Sequence, residues 1–231
     1  MSLSRISRDT LPHFIQQAHL RLLSEVDSVF GRLWFRWWGI KTGAGISFSG
    51  LPYIRRAPGA SIHVGANCKL VSRFVANSHG VTRPCYLSAV GPGSRIVLGH
   101  DCGLSGTVIA AAESVTLGAR VQCGANTLIT DNDAHSLDAA IRRKEIEGAL
   151  PRGTNGAISK PVVIEDDVWL GMGVTVLKGV VIGARSVVGA GSLVTKSIPP
   201  GSLAVGAPAR VIKSLDSVIS EEKTLLAGSC H

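Results

Sequence analysis

The stretch VIEDDVWLGMGVTVLKGVVIGARSVVGAGSLVT, residues 163–195, carries an apolar residue at every sixth position. These positions are Ile164, Leu170, Val176, Ile182, Val188 and Val194. Four residues after each of the first five comes a small or branched side chain: Val168, Val174, Val180, Ser186 and Ser192. A period of six matches neither an amphipathic helix nor a long alternating strand. It fits short strands joined by tight turns, with glycine at the corners.

The same period occurs earlier in the chain, at Val64, Leu70, Leu98, Leu104, Ala110, Leu117, Cys123 and Ile129. Three such units make a triangular coil of about 18 residues, and stacked coils bury one continuous core. Residues 43–213 have room for roughly eight coils. The sequence therefore predicts an all-β solenoid, a parallel β-helix.

The repeat breaks off at one place, after Ile129. The next apolar residue in phase is Ile164, 35 residues later, where the repeat requires six, so 29 residues are inserted. We place the inserted loop at residues 135–160. Its start is the segment TDNDAHSLD, residues 130–138, where His135 occupies the next position of the repeat. Long loops in compact domains are usually functional, and imidazole exchanges protons near neutral pH. We therefore expect the loop that His135 opens to be functional.

The two ends of the chain lack the period of six. Residues 1–42 form an N-terminal segment in which apolar residues from Phe14 to Leu33 recur at helical spacing, with Pro12 near the start. This helix either caps the first coil or lies on a membrane surface, because Trp34, Trp37 and Trp38 stand among basic residues. We predict a short helix in the tail, residues 214–231.

Composition limits the remaining possibilities. The formal net charge of +8 favours an anionic partner, but no nucleic-acid-binding motif is present, so we expect no nucleic acid. The five cysteines are odd in number and show no CxxC spacing, which predicts free, buried thiols. The N-terminus lacks the pattern of a secretory signal. We expect a cytoplasmic protein, either free or in peripheral contact with the inner face of the membrane.

The repeat and the histidine loop together resemble the hexapeptide-repeat acyltransferases, most of all the maltose and galactoside O-acetyltransferases and the related polysaccharide O-acetyltransferases. The likeness covers about residues 43–213 and is most specific in residues 166–213 and in the histidine loop. It implies that the β-helix is left-handed, a property that the spacing of the repeat does not reveal.

The resemblance also implies catalytic and acceptor-binding residues. His135 corresponds to the general base that takes the proton of an acceptor hydroxyl. Asp131, Asp133 or Asp138 would orient its imidazole, with Asp131 and Asp133 assigned to catalysis. For the acceptor it implies contacts from Asp138 and Arg142. Ser105 stands in the neighbourhood where the sugar acetyltransferases have a substrate-placing asparagine, a departure that leaves the acceptor open.

For the acyl donor, the resemblance implies acetyl-CoA and no metal. The pantetheine arm would run past Gly171, Met172, Gly189 and Ala190. The phosphates would meet a second set of residues: Thr195, Lys196, Arg210 and Lys213. Members of the family assemble as trimers with sites between subunits, so the resemblance implies a homotrimer, with Trp169 at the subunit boundary.

The function predicted is O-acetyl transfer to a sugar, either a unit of a bacterial surface polysaccharide or its precursor. Transfer to a small soluble acceptor, such as a free sugar, serine or an antibiotic, is the alternative. Two further classes use the same fold. A zinc carbonic anhydrase needs closely spaced histidines, which the coil region lacks. A non-enzymatic scaffold would not require the histidine loop.

Overall fold

The computed structural model describes residues 10–150 and 156–215, so nearly all of the tail predicted to be helical lies outside the described residues. A helix, α1 (Leu11–Trp37), precedes a series of short strands. The strands form three sheets that the chain visits in rotation, which we name A, B and C.

Each sheet forms one flat side of a triangular prism. Sheet A contains β1 (Lys41–Thr42), β4 (Ser61–Val64), β7 (Arg95–Leu98), β10 (Ser114–Leu117), β13 (Val162–Ile164) and β16 (Val181–Ile182). Sheet B contains β2 (Ser47–Ser49), β5 (Lys69–Val71), β8 (Gly103–Ser105), β11 (Gln122–Cys123), β14 (Trp169–Leu170), β17 (Val187–Val188), β19 (Ser202–Gly206) and β20 (Ala209–Ser214). Sheet C contains β3 (Tyr53–Arg56), β6 (Tyr86–Ala89), β9 (Val108–Ala111), β12 (Leu128–Thr130), β15 (Thr175–Val176) and β18 (Leu193–Val194).

All strand pairs between successive coils are parallel, and only β20 returns antiparallel to β19 at the end of sheet B among the described residues. This arrangement confirms the predicted left-handed parallel β-helix. The prism has three edges, which we call A–B, B–C and C–A after the sheets that each turn connects.

Residues in phase with the repeat stack inside the prism. Leu98, Leu117, Ile164 and Ile182 are paired in register on successive coils and are at most 2% exposed. The prediction for Ala110 was wrong by one residue. Ile109 and Ala111 point inward instead, and Ile109 pairs with Ile129, because the step from Leu104 is five residues there.

The described cysteines confirm the prediction of free thiols. Cys68, Cys85, Cys102 and Cys123 are free and at most 4% exposed. Burial raises the pKa of Cys85, and raises the pKa of Cys123 to about 12, so both thiols stay protonated and act as small apolar core residues.

The solenoid differs from the predicted boundaries at three places. It begins at Lys41, two residues before the predicted start. The long interruption runs from the end of β12 at Thr130 to the start of β13 at Val162, and it contains a helix, α2 (Ala139–Ile146). A second, shorter interruption lies between β5 and β6 and contains a 3₁₀ helix, Phe74–Ala76.

The helix α1 covers the open edge of the first coil. Phe35 is 1% exposed and meets the Phe48 ring edge-on, with ring centroids 4.9 Å apart. The hydroxyl of Ser28 accepts a hydrogen bond from Phe48 N (2.9 Å), and Ser24 Oγ donates to Phe48 O (2.9 Å). Because β2 is the edge strand of sheet B, these contacts satisfy backbone groups that a solenoid end would otherwise expose. Within the described residues, no helix combines the length and the apolarity that crossing a membrane requires.

Candidate active site

The long loop leaves the prism at the C–A edge, and Asp131 holds the start of this loop on the coil. The Asp131 side chain is fully buried, and its two oxygens accept hydrogen bonds from the backbone N–H groups of Ala112 and Glu113, both at 2.7 Å. Its carbonyl accepts from Lys160 N (2.8 Å), so one residue joins the two ends of the loop to the coil below. Asp131 therefore anchors the loop, and the predicted role of orienting His135 does not fit this geometry.

Asp133 also faces a partner other than the imidazole. Its Oδ1 forms an ion pair with Lys178 Nζ, on the next coil. Its backbone carbonyl accepts a hydrogen bond from His135 N (2.7 Å), which closes a tight turn through Ala134 at φ 63°. Asp133 thus shapes the turn that projects His135, while its carboxylate is directed at a lysine.

The imidazole of His135 meets a carboxylate that the sequence analysis did not select. His135 Nδ1 donates to Glu145 Oε2 at 3.0 Å. The His135 side chain is 64% exposed and that of Glu145 is 28% exposed. Because a carboxylate accepts and does not donate, this contact in a neutral imidazole places the ring proton on Nδ1 and leaves Nε2 with a free lone pair.

The helix α2 holds Glu145 in position, and two predicted acceptor-binding residues belong to this support. Asp138 caps α2, since its Oδ1 accepts from Ala140 N (2.8 Å). Arg142 Nη1 donates to Ser136 O (2.7 Å) and ties the helix back to the turn after His135. These bonds place Asp138 and Arg142 within the loop structure, where we find no contact of either with the imidazole among the described residues.

A signal for Glu145 was present in the sequence. Asp138 is a favoured N-cap residue, and the eight residues after it, AAIRRKEI, include good helix formers. Glu145 lies seven residues after the cap, about two helical turns, and therefore on the same side of the helix as Asp138, close in sequence to His135. Treating residues 135–160 as one irregular loop concealed this relationship.

Lysines repeat at the C–A edge beside the histidine loop. Lys160, Lys178 and Lys196 are spaced by 18 residues, one coil each, and stand at the same edge of successive coils. Lys178 is paired with Asp133, whereas Lys160 and Lys196 are exposed. Thr195 precedes Lys196 at the same turn. Because coils lie roughly 4.8 Å apart, Lys160 and Lys196 place two exposed positive charges on this edge, with the Lys178–Asp133 ion pair on the coil between them.

The other predicted donor residues lie at the B–C edge. Gly171 and Met172 follow β14, and Ala190 follows β17 directly above them, with Gly171 N donating to Val188 O (2.8 Å). A Cβ on Gly171 would lie 2.6 Å from Ala190 N, so only glycine permits this stacking. Ser105 ends β8 at the same edge, lower in the stack. Arg210 pairs in register with Val205 beside this edge, and Lys213 pairs with Leu203 farther along sheet B.

The predicted site residues thus form two groups within one chain. His135, Thr195 and Lys196 belong to the C–A edge, where Glu145, which the sequence analysis did not select, joins them. Ser105, Gly171, Met172, Ala190 and Arg210 belong to the B–C edge. The width of sheet C separates the two edges. A single chain therefore does not bring all of the predicted residues to one place.

Another exposed histidine–carboxylate pair occurs at the A–B edge. His100 Nδ1 lies 2.6 Å from Asp101 Oδ2, and this hydrogen bond lowers the pKa of Asp101. Nearby, Arg120 binds Asp167 through two N–H groups (2.6 and 2.7 Å) and lowers the pKa of that carboxyl. The His100–Asp101 pair sits directly on the coil. In residues 10–150 and 156–215, no group of three or more His, Cys, Asp or Glu residues is arranged to hold a metal ion.

Comparison with known proteins agrees with the repeat. Residues 161–196 match the family model described as bacterial transferase hexapeptide (six repeats). The chain is 36% identical to a hexapeptide-repeat containing acetyltransferase from Vibrio cholerae, solved with acetyl coenzyme A, covering 57% of this chain and 69% of that one at a TM-score of 0.42. The chain belongs to the hexapeptide-repeat acyltransferases.

Two further comparisons extend this family assignment. Galactoside O-acetyltransferase from Lactococcus lactis is 39% identical over 102 residues, 44% of this chain and 44% of that protein. A mutant of the N-acyltransferase AntD from Bacillus cereus, solved with a dTDP-4-amino sugar and coenzyme A, is 18% identical. It covers 85% of this chain and 96% of that one at a TM-score of 0.61, which supports the fold of this family member. The chain spans about half or less of the length of the curated relatives that it matches.

Proposed function

We propose that the protein is an O-acetyltransferase that moves an acetyl group from acetyl-CoA to a hydroxyl of a sugar, with His135 as general base. The observation that carries this proposal is the contact of His135 Nδ1 with Glu145 at 3.0 Å on an exposed edge. This pairing leaves Nε2 basic and directed by a carboxylate, which is what removal of a hydroxyl proton requires.

The chemistry assigned to His135 is a proton transfer in two directions. Nε2 takes the proton of the acceptor hydroxyl while the hydroxyl oxygen forms a bond to the thioester carbonyl carbon. The C–S bond then breaks, and the imidazolium returns the proton to the departing sulfur. Glu145 stabilises the imidazolium that exists between these steps. The thioester is already activated, so no covalent enzyme intermediate is needed.

The donor fits the charge of the C–A edge. Coenzyme A carries several phosphate charges, and Lys160 and Lys196 are exposed cations, each one coil from Lys178, which holds the histidine turn. Arg210 adds a forked donor beside the B–C edge. Gly171 and Ala190 leave a backbone surface there without large side chains, which suits a narrow pantetheine arm.

The split between the two edges supports a trimer. If the C–A edge of one subunit faces the B–C edge of its neighbour, His135 and Lys196 meet Gly171, Ala190 and Arg210 across the cleft. A prism with three flat sides can repeat this contact around a threefold axis. We therefore propose a homotrimer with one site in each cleft, and Trp169, 55% exposed on sheet B, near the boundary.

The acceptor is assigned by family likeness and by the loop. The Lactococcus lactis relative is named a galactoside O-acetyltransferase, and its likeness to this chain favours a sugar hydroxyl. The long loop that carries α2 enlarges the wall beside His135, which suits a unit of a surface polysaccharide or its precursor. A small soluble acceptor such as a free sugar, serine or an antibiotic is the second candidate. Buried free thiols suit the reducing cytoplasm, where we place the enzyme.

The test is acetyl transfer from acetyl-CoA to a panel of galactosides, maltose and polysaccharide fragments. The reaction is monitored by the release of free coenzyme A thiol and by mass spectrometry of the acceptor. His135→Ala should lower kcat by on the order of 10²–10⁴ with little change in coenzyme A affinity. His100→Ala is the matched control, because it removes another exposed imidazole that contacts a carboxylate. Its turnover should equal that of the unaltered protein.

Wild-type turnover in His135→Ala would remove the assignment of the base. Absence of acetyl transfer to every acceptor, together with absence of coenzyme A binding by calorimetry, would favour a non-enzymatic scaffold.

A further inference from the structure

One side of α1 packs on the solenoid, and a row of exposed apolar residues runs along its opposite side. We call this row the α1 stripe: Leu11, Ile15, Leu22, Val26, Val29, Leu33 and Trp37. These side chains are 45–73% exposed. At 3.6 residues per turn, all seven lie within about 40° of one line on the helix surface. The residues that pack on the first coil, Ser24, Ser28, Gly31 and Phe35, lie roughly opposite that line.

The stripe continues where no solenoid lies beneath the helix. Every residue from 11 to 19 is exposed, whichever side of α1 it occupies. This stretch extends about 13 Å beyond the first packed turn. Monomeric proteins rarely expose a contiguous apolar surface of this length unless it binds something.

Charge beside the stripe indicates the kind of partner. Arg21, Arg32 and Arg36 lie along one flank of α1, between the stripe and the packed side. Glu25 lies on the same flank, so the three arginines leave it with a net positive charge. Lys41 and Arg55, both exposed, add charge near the C-terminal end of the helix. An apolar stripe with basic residues along its flank and tryptophan at its end suits the boundary of an anionic lipid bilayer.

A cavity adjoins the same end of the stripe. It has a volume of about 460 Å³ and is lined by Trp37, Trp38, Arg56, Ala57 and Pro58. Arg56 is exposed at this cavity, and its guanidinium can donate hydrogen bonds to phosphate oxygens.

We propose that the side of α1 opposite the solenoid docks the protein on an anionic bilayer surface, with the cavity at Arg56 taking a lipid phosphate. The helix therefore combines the two roles that the sequence left as alternatives, because cap and membrane contacts use opposite sides. The proposal does not depend on acetyl transfer.

A second copy of the chain is the competing occupant of the stripe. Subunits that join side by side, with the C–A edge of one prism against the B–C edge of the next, would leave the stripe uncovered, because it faces away from the solenoid. The basic flank also disfavours pairing with an identical flank. Both points favour lipid.

The experiment is co-sedimentation of the full chain with phosphatidylcholine vesicles, with and without phosphatidylglycerol. We expect binding only when phosphatidylglycerol is present. The double variant Leu22→Glu/Leu33→Glu should bind roughly tenfold or more weakly. Gln16→Glu/Gln17→Glu is the matched control, because it adds the same charge to α1 away from the stripe. It should lose much less binding. Arg56→Gln should reduce the preference for phosphatidylglycerol.

Quenching of tryptophan fluorescence by brominated lipid locates the contact. Quenching should be strong in the unaltered protein and weaker in Trp37→Phe. Failure of the unaltered protein to bind anionic vesicles would overturn the proposal. Equal losses of vesicle binding in Leu22→Glu/Leu33→Glu and Gln16→Glu/Gln17→Glu would also overturn it. A smaller oligomer for Leu22→Glu/Leu33→Glu in analytical ultracentrifugation, without vesicle binding by the unaltered protein, would assign the stripe to a subunit contact.

Discussion

Nδ1 of His135 lies 3.0 Å from Oε2 of Glu145, a residue that α2 carries ten positions later in the chain. In a neutral ring the contact favours the tautomer with the proton on Nδ1, and it sets the direction that the imidazole faces. Three aspartates close to His135 in sequence are directed elsewhere, to backbone N–H groups or to Lys178. Glu145 is therefore the positioning residue of the proposed site.

Glu145→Gln should lower kcat while leaving KM for acetyl-CoA nearly unchanged. An amide can still hold the ring but does not stabilise an imidazolium by charge, so the loss should be smaller than the loss on removing His135, on the order of 10–10².

Glu147→Gln provides the control for this change, since Glu147 follows α2 directly and is exposed. Its kcat should match that of the unaltered protein. Equal kcat for Glu145→Gln and the unaltered protein would show that the carboxylate does not act on the imidazole.

Asp131→Asn should destabilise the fold. The Asp131 carboxylate accepts two backbone hydrogen bonds while fully buried, and an amide presents only one acceptor oxygen. Loss of one charged hydrogen bond costs about 1.5–3 kcal/mol. Chemical denaturation should show a lower midpoint, whereas Asp138→Asn, which keeps a favoured cap residue at the start of α2, should change stability little. An unchanged midpoint for Asp131→Asn would contradict the anchoring role.

Lys196→Ala and Lys160→Ala should raise KM for acetyl-CoA with a small effect on kcat. The increase should be larger at low salt, because screening already weakens these contacts at high ionic strength. Lys69→Ala is the control, since Lys69 is exposed on sheet B in an early coil. Equal effects of the three substitutions would indicate general attraction of an anion to a basic protein and would remove the phosphate site from the C–A edge.

Gly31→Ala tests whether α1 covers the first coil of the solenoid. A Cβ at Gly31 would overlap the Phe48 ring at Cδ2, although alanine is the better helix former. Overpacking of this kind costs about 1–3 kcal/mol, more than the gain in helix propensity. Thermal unfolding should therefore begin at a lower temperature. A stabilised Gly31→Ala protein would mean that α1 is not held against the first coil.

The period of six predicted the solenoid because it is a local property of the chain. Each coil needs an inward apolar residue and a small residue at fixed spacing, so Leu170 and Val188 could be placed in the core from sequence alone. The error at Ala110 arose because one step of the repeat is five residues long. A prediction that adds six residues at every step passes over this shortened turn, whereas the pairing of Ile109 with Ile129 shows which residue points inward. The histidine loop was predicted for the same local reason, as an interruption of the repeat.

Which residues meet was decided by the tertiary structure. Glu145 approaches His135 because α2 folds back over the turn at Ala134, and neither the repeat nor the nearest carboxylates indicate that direction. The predicted donor residues divide between two edges because the chain turns around the prism. Residues 18 apart, such as Lys178 and Lys196, share an edge, whereas Ala190 and Lys196, six apart, lie on different edges. The local sequence determines the period of a solenoid. The long-range contacts of an inserted loop depend on how the loop packs on the coils. The packing energies of these contacts arise only when the coils have formed.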